Sequence, residues 1–549
     1  MENKTLTVHD NKLMDINDKS IKTPIWILGV LSSSAILLFS ILLLLAKLNF
    51  EQYLPFLLLV TAIIGGILYC VFQAGYTLWA SLTLWRKRIL IGILICLCVG
   101  VQAVITISLA GTIEYDFFSL FQGARAIANG NGLLTHNIYF AQFPNNSFLM
   151  LCFELVFRFC NIFGAQNHNA VAIYMAALTL LNILIIDLTI LLSFLTANKM
   201  FGRKIAGLSL LLLIPTLGFH NGLVMPYSDS FCMLFPIAFL YLYITLPPHG
   251  SRRWLKIVLM AVCFVVGMKI KPQAIILPFG VLIYECFALR KNKEPLLCFL
   301  KTTGVTTLKT LGCFLFTVVI LSSAIQGYTD WHLRDDITKE LKDEREFPMT
   351  HFIMMGLNKY SDGSFNMEDY RATQSQPSKA EKIQYNSTEI GNRLQDFGLV
   401  GYMQFLWKKH VRIFATAKMD MWITEPFYVT NPLTETVRQL IYYPGGALLL
   451  YETVVQSRWL LLFSFILLPA LFNRKKNTDR HVIILRLTIV GLWLFLLLFE
   501  AGARYLFHQL PILCMLAAWG MCNYNVTAWF KKQKALDTIR KKFTAVFSK

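Results

Sequence analysis

Residues 89–116 have the sequence ILIGILICLCVGVQAVITISLAGTIEYD, and this stretch decides the fold class. Its apolar part, residues 89–111, is long enough to cross a bilayer, which takes roughly 20 residues. Because lipid offers no partner for a free backbone N–H or C=O group, such a crossing segment must be helical. Two carboxylates, Glu114 and Asp116, follow just beyond its end. We therefore predict a transmembrane helix that delivers two acids to one surface of the membrane.

The rest of the chain repeats this apolar pattern. Apolar residues make up 56% of the sequence and charged residues only 15%, with a mean hydropathy of +0.53; a soluble domain carries about 25% charged residues. The further runs that we predict to cross the membrane are 26–47, 53–73, 170–197, 205–221, 230–247, 255–270, 273–289, 307–325, 457–472, 482–500 and 506–523. The sequence predicts an all-α fold, a polytopic membrane helical bundle of about 12 transmembrane helices.

Basic residues cluster in alternate connections between these runs. Examples are Arg86, Lys87 and Arg88; Arg252, Arg253 and Lys256; and Arg474, Lys475 and Lys476. Basic clusters mark the cytoplasmic side of a membrane protein, so we predict a multi-pass protein of the cell (plasma) membrane with both termini in the cytoplasm. The formal net charge of +19 is thereby explained by topology and by contact with the lipid bilayer. No nucleic acid partner is expected.

This topology divides the chain into six parts. They are a cytoplasmic N-terminal tail (1–25), two accessory transmembrane helices (26–88), a membrane core (89–325) with a first outer loop (112–169), an extracytoplasmic loop subdomain (326–456), C-terminal transmembrane helices (457–523) and a basic cytoplasmic tail (524–549). Residues 112–169 are called the first loop below, and residues 326–456 the large loop. Within the first loop, Ser147–Phe163 is apolar but short. We predict a helix lying in the membrane interface there; a thirteenth span is the alternative.

Charged residues recur at the predicted outer ends of other spans. Asp229 lies at one such turn, Lys269 and Lys271 lie at another, and Glu500 and Arg504 lie at the last. If the helices pack together, these groups converge on one outward-facing cavity. Ordinary roles compete with this interpretation: the aspartate could cap the following helix, the lysines could extend to the interface, and the glutamate could pair with the arginine across the turn.

The order of these motifs resembles that of the GT-C superfamily of membrane glycosyltransferases, which use polyprenyl-phosphate-linked sugars. The matching features are Glu114-Tyr115-Asp116, the interfacial helix, the turn Phe201-Gly-Arg-Lys204, the acidic turn at Asp229, and the late pattern of Glu500, Arg504, Tyr505 and Pro511. They are spread over residues 89–523. The runs YFAQFPNN (139–146) and HFIMMGLN (351–358) are similar to a Gram-positive bacterial branch. The chain departs from better-known members in its Glu-Tyr-Asp spacing, where some have adjacent Asp-Glu, and in two extra helices before the core.

The resemblance implies transfer of a sugar at the outer face, with inversion. Asp116 is then the base that takes the proton of the acceptor hydroxyl, and Glu114 is its helper or a metal ligand. Arg504 is the first choice for stabilising the leaving phosphate, because a guanidinium binds phosphate through two parallel hydrogen bonds. Lys269 and Lys271 are the second choice for that role.

The remaining candidates are substrate-binding residues. Asp229 would bind sugar hydroxyls or orient the acceptor, and Arg125 would pair with one of the acids. Further candidates are Tyr139, Asn145, Asn146, Glu500 and Tyr505. Turn formation explains the Pro-Asn-Asn run nearly as well. A divalent cation, Mg²⁺ or Mn²⁺, held by Glu114 and Asp116 is an open alternative that the sequence does not decide.

The predicted partners are a polyprenyl-phosphate sugar donor, such as undecaprenyl phosphate carrying a sugar, and an extracytoplasmic acceptor. That acceptor is a cell-wall polysaccharide, a teichoic acid, a glycolipid or a protein. Two alternatives stay open: a transporter or flippase of a lipid-linked saccharide, and a glycan polymerase or ligase. Transporters often show internal repeats and broken helices near the bilayer midplane, whereas the charges here crowd the outer helix ends. A glycosyltransferase of cell-envelope polysaccharide biosynthesis is the leading hypothesis.

Overall fold

A computed structural model describes residues 23–50, 54–167, 169–289, 305–419, 421–472 and 478–523. All regular secondary structure within these residues is helical, which confirms the predicted all-α class. The predicted basic tail at 524–549 lies outside the described residues, as do residues 1–22 of the N-terminal tail and the basic residues at 474–476.

The described residues contain α-helices from Thr23 to Asn523. In chain order they are α1 Thr23–Phe50, α2 Leu54–Ser81, α3 Leu84–Leu109, α4 Tyr115–Ala128, α5 Asn137–Gln142, α6 Ser147–Ile162, α7 Ala170–Phe201, α8 Arg203–Leu213, α9 Ser228–Phe231, α10 Leu234–Ile244, α11 Ser251–Ile270, α12 Ile276–Leu289, α13 Val305–His332, α14 Lys339–Arg345, α15 Met349–Gly356, α16 Met367–Gln374, α17 Lys379–Phe414, α18 Pro432–Ile441, α19 Gly446–Phe472, α20 Arg480–Leu498 and α21 Leu510–Asn523. A 3₁₀ segment, Ala503–Gln509, precedes α21.

Seven of the described helical stretches are long and apolar enough to cross a membrane. They are Pro24–Leu45, Pro55–Ser81, Leu84–Leu109, Ala170–Phe201, Leu308–His332, Arg480–Leu498 and Ala503–Asn523. Shorter apolar stretches occur at Ser228–Ile244 and Pro272–Ala288. The chain is therefore a multi-pass helical membrane protein. The figure of about 12 spans stays a prediction.

The predicted span at 205–221 is broken within its length. The helix α8 ends at Leu213 and continues as a π-helical turn, Ile214–Gly218, which contains Pro215. Proline has no N–H group for the helical ladder, and its ring clashes with the preceding turn. A short 3₁₀ turn, Asn221–Val224, follows and leads into α9. This break gives the chain the irregular backbone that carries the acidic turn at Asp229.

The predicted interfacial helix is α6. Its 16 residues span about 24 Å at 1.5 Å per residue, less than the roughly 30 Å of a hydrocarbon core. One face is buried against α4 and α7, while Leu155 and Ile162 on the other are 62% and 76% exposed. The buried carboxylate of Glu154 accepts a hydrogen bond from Arg158 at 2.6 Å and lies 3.2 Å from Nε2 of His332 at the end of α13. These contacts fix α6 beside α13.

The first loop and the large loop are joined by backbone hydrogen bonds. The N–H of Phe347 donates to the carbonyl of Gln142 at 3.0 Å, and the N–H of Leu133 donates to the carboxylate of Asp336 at 2.7 Å. Buried backbone groups need such partners. The two loops therefore form one layer over the same end of the helical bundle.

The large loop also holds the end of α3. The N–H of Thr112 donates to the carbonyl of Thr424 at 3.2 Å, and the N–H of Tyr428 donates to the carbonyl of Ala110 at 2.9 Å. Between them lies Gly111, where a Cβ atom would clash with the carbonyl oxygen of Thr424. Only glycine allows the two backbones to approach so closely. The sequence just before Thr424 is thereby placed beside the acidic motif that follows α3.

Two apolar cores support this arrangement. The larger is formed mainly by α1, α8, α10, α12, α19, α20 and α21 and lies inside the bundle. The smaller joins α4, α6 and α7 with the turn around α9, and it buries Phe117, Phe121 and Phe153. Since Phe117 is the residue after Asp116, burial of its ring fixes the first turn of α4.

Candidate active site

Four charged side chains from distant parts of the sequence meet at the loop-covered end of the bundle. Nη2 of Arg504 lies 4.0 Å from Oδ2 of Asp116, and Nη1 of Arg504 lies 3.7 Å from Oδ2 of Asp229. On the other side of Asp229, Nζ of Lys271 forms an ion pair with Oδ1. The structure thus brings together four of the predicted site residues, in the order Asp116, Arg504, Asp229, Lys271.

Each of these residues stands at the end of a helical element. Asp116 lies in the first turn of α4 and Asp229 in the first turn of α9, where exposed backbone N–H groups favour a negative charge. Lys271 follows the last residue of α11, and its N–H donates to the carbonyl of Gly267 at 2.8 Å. Arg504 lies in the 3₁₀ segment before α21. The local sequence places each charged residue at a helix terminus, and tertiary packing brings these helix termini together.

Burial changes systematically across the cluster. The side chains of Asp229, Lys271, Arg504 and Asp116 are 1%, 7%, 14% and 37% exposed, and Glu114 is exposed. Burying an unpaired charge is costly, so the inner three side chains depend on one another. The cationic groups therefore lie inside, and Asp116 lies at the mouth of the site.

Aromatic rings surround the cations. The guanidinium carbon of Arg504 lies 3.8 Å from the centre of the Trp422 ring, 5.2 Å from that of Tyr505 and 5.5 Å from that of Tyr227. Nζ of Lys271 lies 4.7 Å from the centre of the Tyr505 ring. Cation–π contact of this kind is strongest where water is excluded. It orients the planar guanidinium without neutralising its charge.

Sequence reasoning missed Trp422 and Tyr227. Tyr227 is two residues before Asp229, so its proximity to a predicted site residue was the available signal. Trp422 lies in the large loop, 82 residues before Arg504. Its place depends on the backbone pairing of Thr424 with Thr112. No local pattern encodes such a pairing.

Hydroxyl groups face Asp116. The hydroxyl of Tyr227 donates to Oδ2 of Asp116 at 3.3 Å. Burial, followed by the neighbouring carboxylate of Asp116, raises the pKa of Tyr227 well above its usual value. Burial, then the nearby Tyr227 and Asp116, also raise the pKa of Tyr139. Both phenols therefore stay protonated at neutral pH and act as hydrogen-bond donors.

The Pro-Asn-Asn run supports Tyr139. Nδ2 of Asn146 donates to the hydroxyl of Tyr139 at 2.7 Å, and Nδ2 of Asn145 donates to Oδ1 of Asn146 at 3.2 Å. The run also forms a 3₁₀ turn, Pro144–Asn146, at the start of α6. The run therefore forms a turn and also contacts Tyr139; a substrate-binding role for Asn145 and Asn146 stays a prediction.

Glu500 lies next to the cluster. Burial raises the pKa of Glu500, while the charge of Arg504 and a hydrogen bond with Tyr505 act in the opposite direction. Across from it, Nζ of Lys409 donates to the carbonyls of Gly356 and Phe499 at 2.6 and 2.5 Å. Burial lowers the pKa of Lys409 to about 7. The large loop is therefore fastened to the turn that carries Glu500.

Three predicted residues stand apart from the cluster. Nζ of Lys269 donates to Oε1 of Gln326 on α13 at 2.8 Å, and this lysine thus faces away from Asp229. Arg125 is nine residues beyond Asp116 on α4, or about 13 Å along the axis. Glu114 precedes the first turn and is exposed. The structure brings none of these three into the chain of ion pairs.

The residues fit a divalent cation poorly. Within the described part of the chain, no three or more His, Cys, Asp or Glu side chains form a group that could hold a metal ion. Asp116, one of the two predicted ligands, faces Arg504. Hard divalent cations normally take several oxygen ligands. The Mg²⁺ or Mn²⁺ alternative stays a prediction, and no step below is routed through it.

Comparisons with known proteins place the chain among membrane proteins. The crystal structure of ArnT from Cupriavidus metallidurans bound to undecaprenyl phosphate is 11% identical, covers 77% of each chain and superposes with a TM-score of 0.31, a distant likeness. No curated protein matches the chain. A family model described as a conserved hypothetical integral membrane protein matches residues 21–523. This match spans most of the sequence, and the chain therefore belongs to that family of integral membrane proteins.

Proposed function

We propose that this protein is a membrane glycosyltransferase that moves a sugar from a polyprenyl phosphate to an acceptor at the outer face of the membrane. The observation that carries the proposal is the chain of charges Asp116, Arg504, Asp229 and Lys271. It combines a carboxylate at the mouth with two buried cations behind it. A base and a phosphate-binding group are the two functions that this reaction needs.

Asp116 is the proposed base. It is partly exposed, so an acceptor can reach it, and Tyr227 and Arg504 both approach its Oδ2 atom, which orients the carboxylate. As the acceptor oxygen attacks the anomeric carbon, its proton passes to Asp116. The new C–O bond forms on the face opposite the bond that breaks, and the configuration inverts.

Arg504 and Lys271 are the proposed phosphate ligands. The bond between the anomeric carbon and the phosphate oxygen breaks with its electron pair on the phosphate, whose negative charge therefore grows. Nη1 of Arg504 is buried and makes no hydrogen bond within the described residues, since its distance to Asp229 is 3.7 Å. A phosphate oxygen would satisfy it. Preorganised cationic donors of this kind stabilise a developing anion.

The donor class follows from the membrane setting and from the resemblance to the GT-C superfamily. A polyprenyl phosphate presents its head group at the membrane surface, where these cations lie at the ends of apolar helices. ArnT is bound to undecaprenyl phosphate, and this lipid is the first carrier to test. A polymerase or ligase acting on a lipid-linked glycan would use the same base and the same cations. Acceptor identity distinguishes it from a transferase of single sugars.

The test is sugar transfer by the purified protein in nanodiscs. A panel of undecaprenyl-phosphate monosaccharides and a cell-envelope extract serve as donors and acceptors, and wild type is compared with Asp116→Asn. We expect transfer to fall by about 10²–10⁴-fold, because a general base contributes that much, while undecaprenyl phosphate still binds. The matched control is Asp335→Asn, the same change at a carboxylate that is 89% exposed.

Equal transfer by Asp116→Asn and wild type would remove Asp116 as the base. Absence of transfer with every donor, together with movement of a lipid-linked saccharide across the bilayer, would favour the transporter alternative instead.

A further inference from the structure

Tyr115 is the middle residue of the acidic motif, and neither the base nor the phosphate site uses it. It is the first residue of α4, and its ring and backbone together are 62% exposed. Its φ is 55°, in the left-handed region that a bulky L-residue rarely adopts. Such a conformation persists only where the surroundings hold it, and it occurs preferentially at functional sites. An exposed tyrosine in this conformation needs an explanation.

The ring of Tyr115 leans on Trp422. The two ring centres are 5.3 Å apart with an angle of 35° between the planes. Trp422 is held in turn by Tyr227, at 5.4 Å, and by the guanidinium of Arg504, at 3.8 Å. The pair therefore forms an aromatic surface that is fixed to the charge cluster at one end and exposed at the other.

We propose that Tyr115 and Trp422 form a stacking platform for the sugar ring of the acceptor. This inference rests on the proposed function and names the acceptor as a carbohydrate. One face of a pyranose ring presents mainly C–H groups, and these pack on an aromatic face as other apolar surfaces do. The hydroxyls at the edge of the ring stay free for polar contacts. Asp116, the next residue in the chain, receives one of them.

The position of the platform assigns it to the acceptor. The buried end of the site holds Asp229 and the two cations, Arg504 and Lys271, that would bind the donor phosphate. Tyr115 lies at the exposed end, between Glu114 and Asp116. An acceptor arriving from water meets this end first.

The negative charge at the mouth of the site further restricts the class of acceptor. Two carboxylates flank Tyr115, and like charges at short distance repel. A polyanionic acceptor such as a polyol phosphate would be repelled from this surface. An uncharged sugar ring would stack without that repulsion. The platform therefore selects neutral carbohydrate units.

The experiment is saturation-transfer-difference NMR with a set of uncharged methyl hexopyranosides. The protein is held in nanodiscs prepared with a sugar-free amphiphile, because maltoside head groups would compete. Wild type, Tyr115→Phe and Tyr115→Leu are compared, and Tyr360→Leu, at a tyrosine that is 84% exposed in the large loop, is the control. Binding of undecaprenyl phosphate to each variant is measured separately by native mass spectrometry.

We expect saturation of the C–H protons of at least one glycoside by wild type, Tyr115→Phe and Tyr360→Leu. In Tyr115→Leu the signal falls about tenfold, because the aromatic face is gone. Undecaprenyl phosphate binding stays the same in all four proteins, since Tyr115 does not contact the cations.

Equal glycoside signals in Tyr115→Leu and wild type would overturn the platform. The platform would also be overturned if wild type bound undecaprenyl phosphate but gave no glycoside signal. That result would leave the proposed function standing and would make Tyr115 an anchor at the lipid interface. If wild type gave glycoside signals but did not bind undecaprenyl phosphate, the result would count against the proposed function and not against stacking of a sugar on Tyr115. The two failures are therefore distinguishable.

Discussion

At the scale of single residues, the central feature of the site is the carboxylate of Asp229, which contacts two cations. Asp229 is 1% exposed and lies between Lys271 and Arg504. A buried charge is tolerable only when an opposite charge is paired with it. Removal of one partner leaves the other charge buried and unpaired, which destabilises the fold. Folding stability therefore depends on these three side chains together, and under the proposed function donor binding does as well.

We predict that Asp229→Asn is strongly destabilising, whereas the double variant Asp229→Asn, Lys271→Met recovers most of the loss. The single change leaves the Lys271 ammonium buried without its partner, at a cost of about 3–5 kcal/mol. Thermal unfolding in nanodiscs measures the effect. The control is Asp330→Asn, which breaks a largely exposed ion pair with Lys342 that contributes at most about 1 kcal/mol. If the double variant lost as much stability as the two single variants together, Asp229 and Lys271 would not be energetically coupled.

The sequence predicted the individual charges better than it predicted their partners. Asp116, Asp229, Lys271 and Arg504 are recognisable because each is a charged residue next to an apolar run, where a charge is costly unless it is solvated or has a function. Lys269 was grouped with Lys271 because they are two residues apart. They face different neighbours since α11 ends at Ile270, between them, and the exact end of a helix is the least predictable part of a sequence pattern.

At the scale of elements, helix α17 fastens the large loop to the charge cluster. Lys409 is buried, and its Nζ donates to the carbonyl of Gly356 in α15 and to that of Phe499 at the end of α20. Lys408 beside it is exposed. A neutral amine has two N–H groups, which is the number of acceptors that this position offers. Burial favours this neutral form.

We predict that this attachment strengthens as pH rises. Burial lowers the pKa of Lys409 to about 7 from its ordinary value of 10.5, and the unfolded state therefore binds more protons between these two values. The contribution of Lys409 to the free energy of unfolding consequently increases with pH across this window. It is at its lowest below the pKa of the folded state. The unfolding midpoint of wild type should rise relative to that of Lys409→Met between about pH 7 and pH 10.

Lys408→Met is the control for this titration, because its side chain is exposed and its replacement should leave the pH profile of wild type unchanged. A wild-type profile that runs parallel to that of Lys409→Met over the whole range would contradict the assignment. Sequence pattern gave no hint of this role. Residues 405–413, FLWKKHVRI, combine apolar and basic side chains, and nothing in this pattern distinguishes Lys409 from Lys408.

At the scale of the whole molecule, the mouth of the candidate site is assembled from segments that begin at α3 and end at α21. The contact between Gly111 and Thr424 joins the membrane core to the large loop, and through Trp422 it reaches Arg504. The all-α class and the multi-pass character followed from apolar length alone. The convergence of the outer helix ends was a hypothesis that depended on packing. Trp422 could not be predicted because its position is set by pairing across more than 300 residues of chain.

We predict that Gly111→Ala impairs sugar transfer although it changes no charged or aromatic group. The added methyl group meets the carbonyl of Thr424, a backbone atom that cannot rotate away, and overpacking of this kind costs about 1–3 kcal/mol. The displaced segment moves Trp422, so kcat should fall more than donor binding. Gly100→Ala in helix α3, which precedes Gly111, is the control, since nothing lies within 4 Å of its added Cβ. Full activity in Gly111→Ala would show that the junction is not needed for catalysis.

The separation of the four charges along the chain has a consequence for biogenesis. Arg504 is synthesised 388 residues after Asp116, an interval on the order of tens of seconds at ordinary rates of translation. Lys271 follows Asp116 by 155 residues and can pair with Asp229 from that point on, whereas Trp422 and the guanidinium of Arg504 are added later. A nascent chain that lacks Arg504 therefore has an incomplete charge cluster. Under the proposed function, the protein could bind an anionic head group only after Arg504 has been synthesised and has packed beside Asp116 and Asp229.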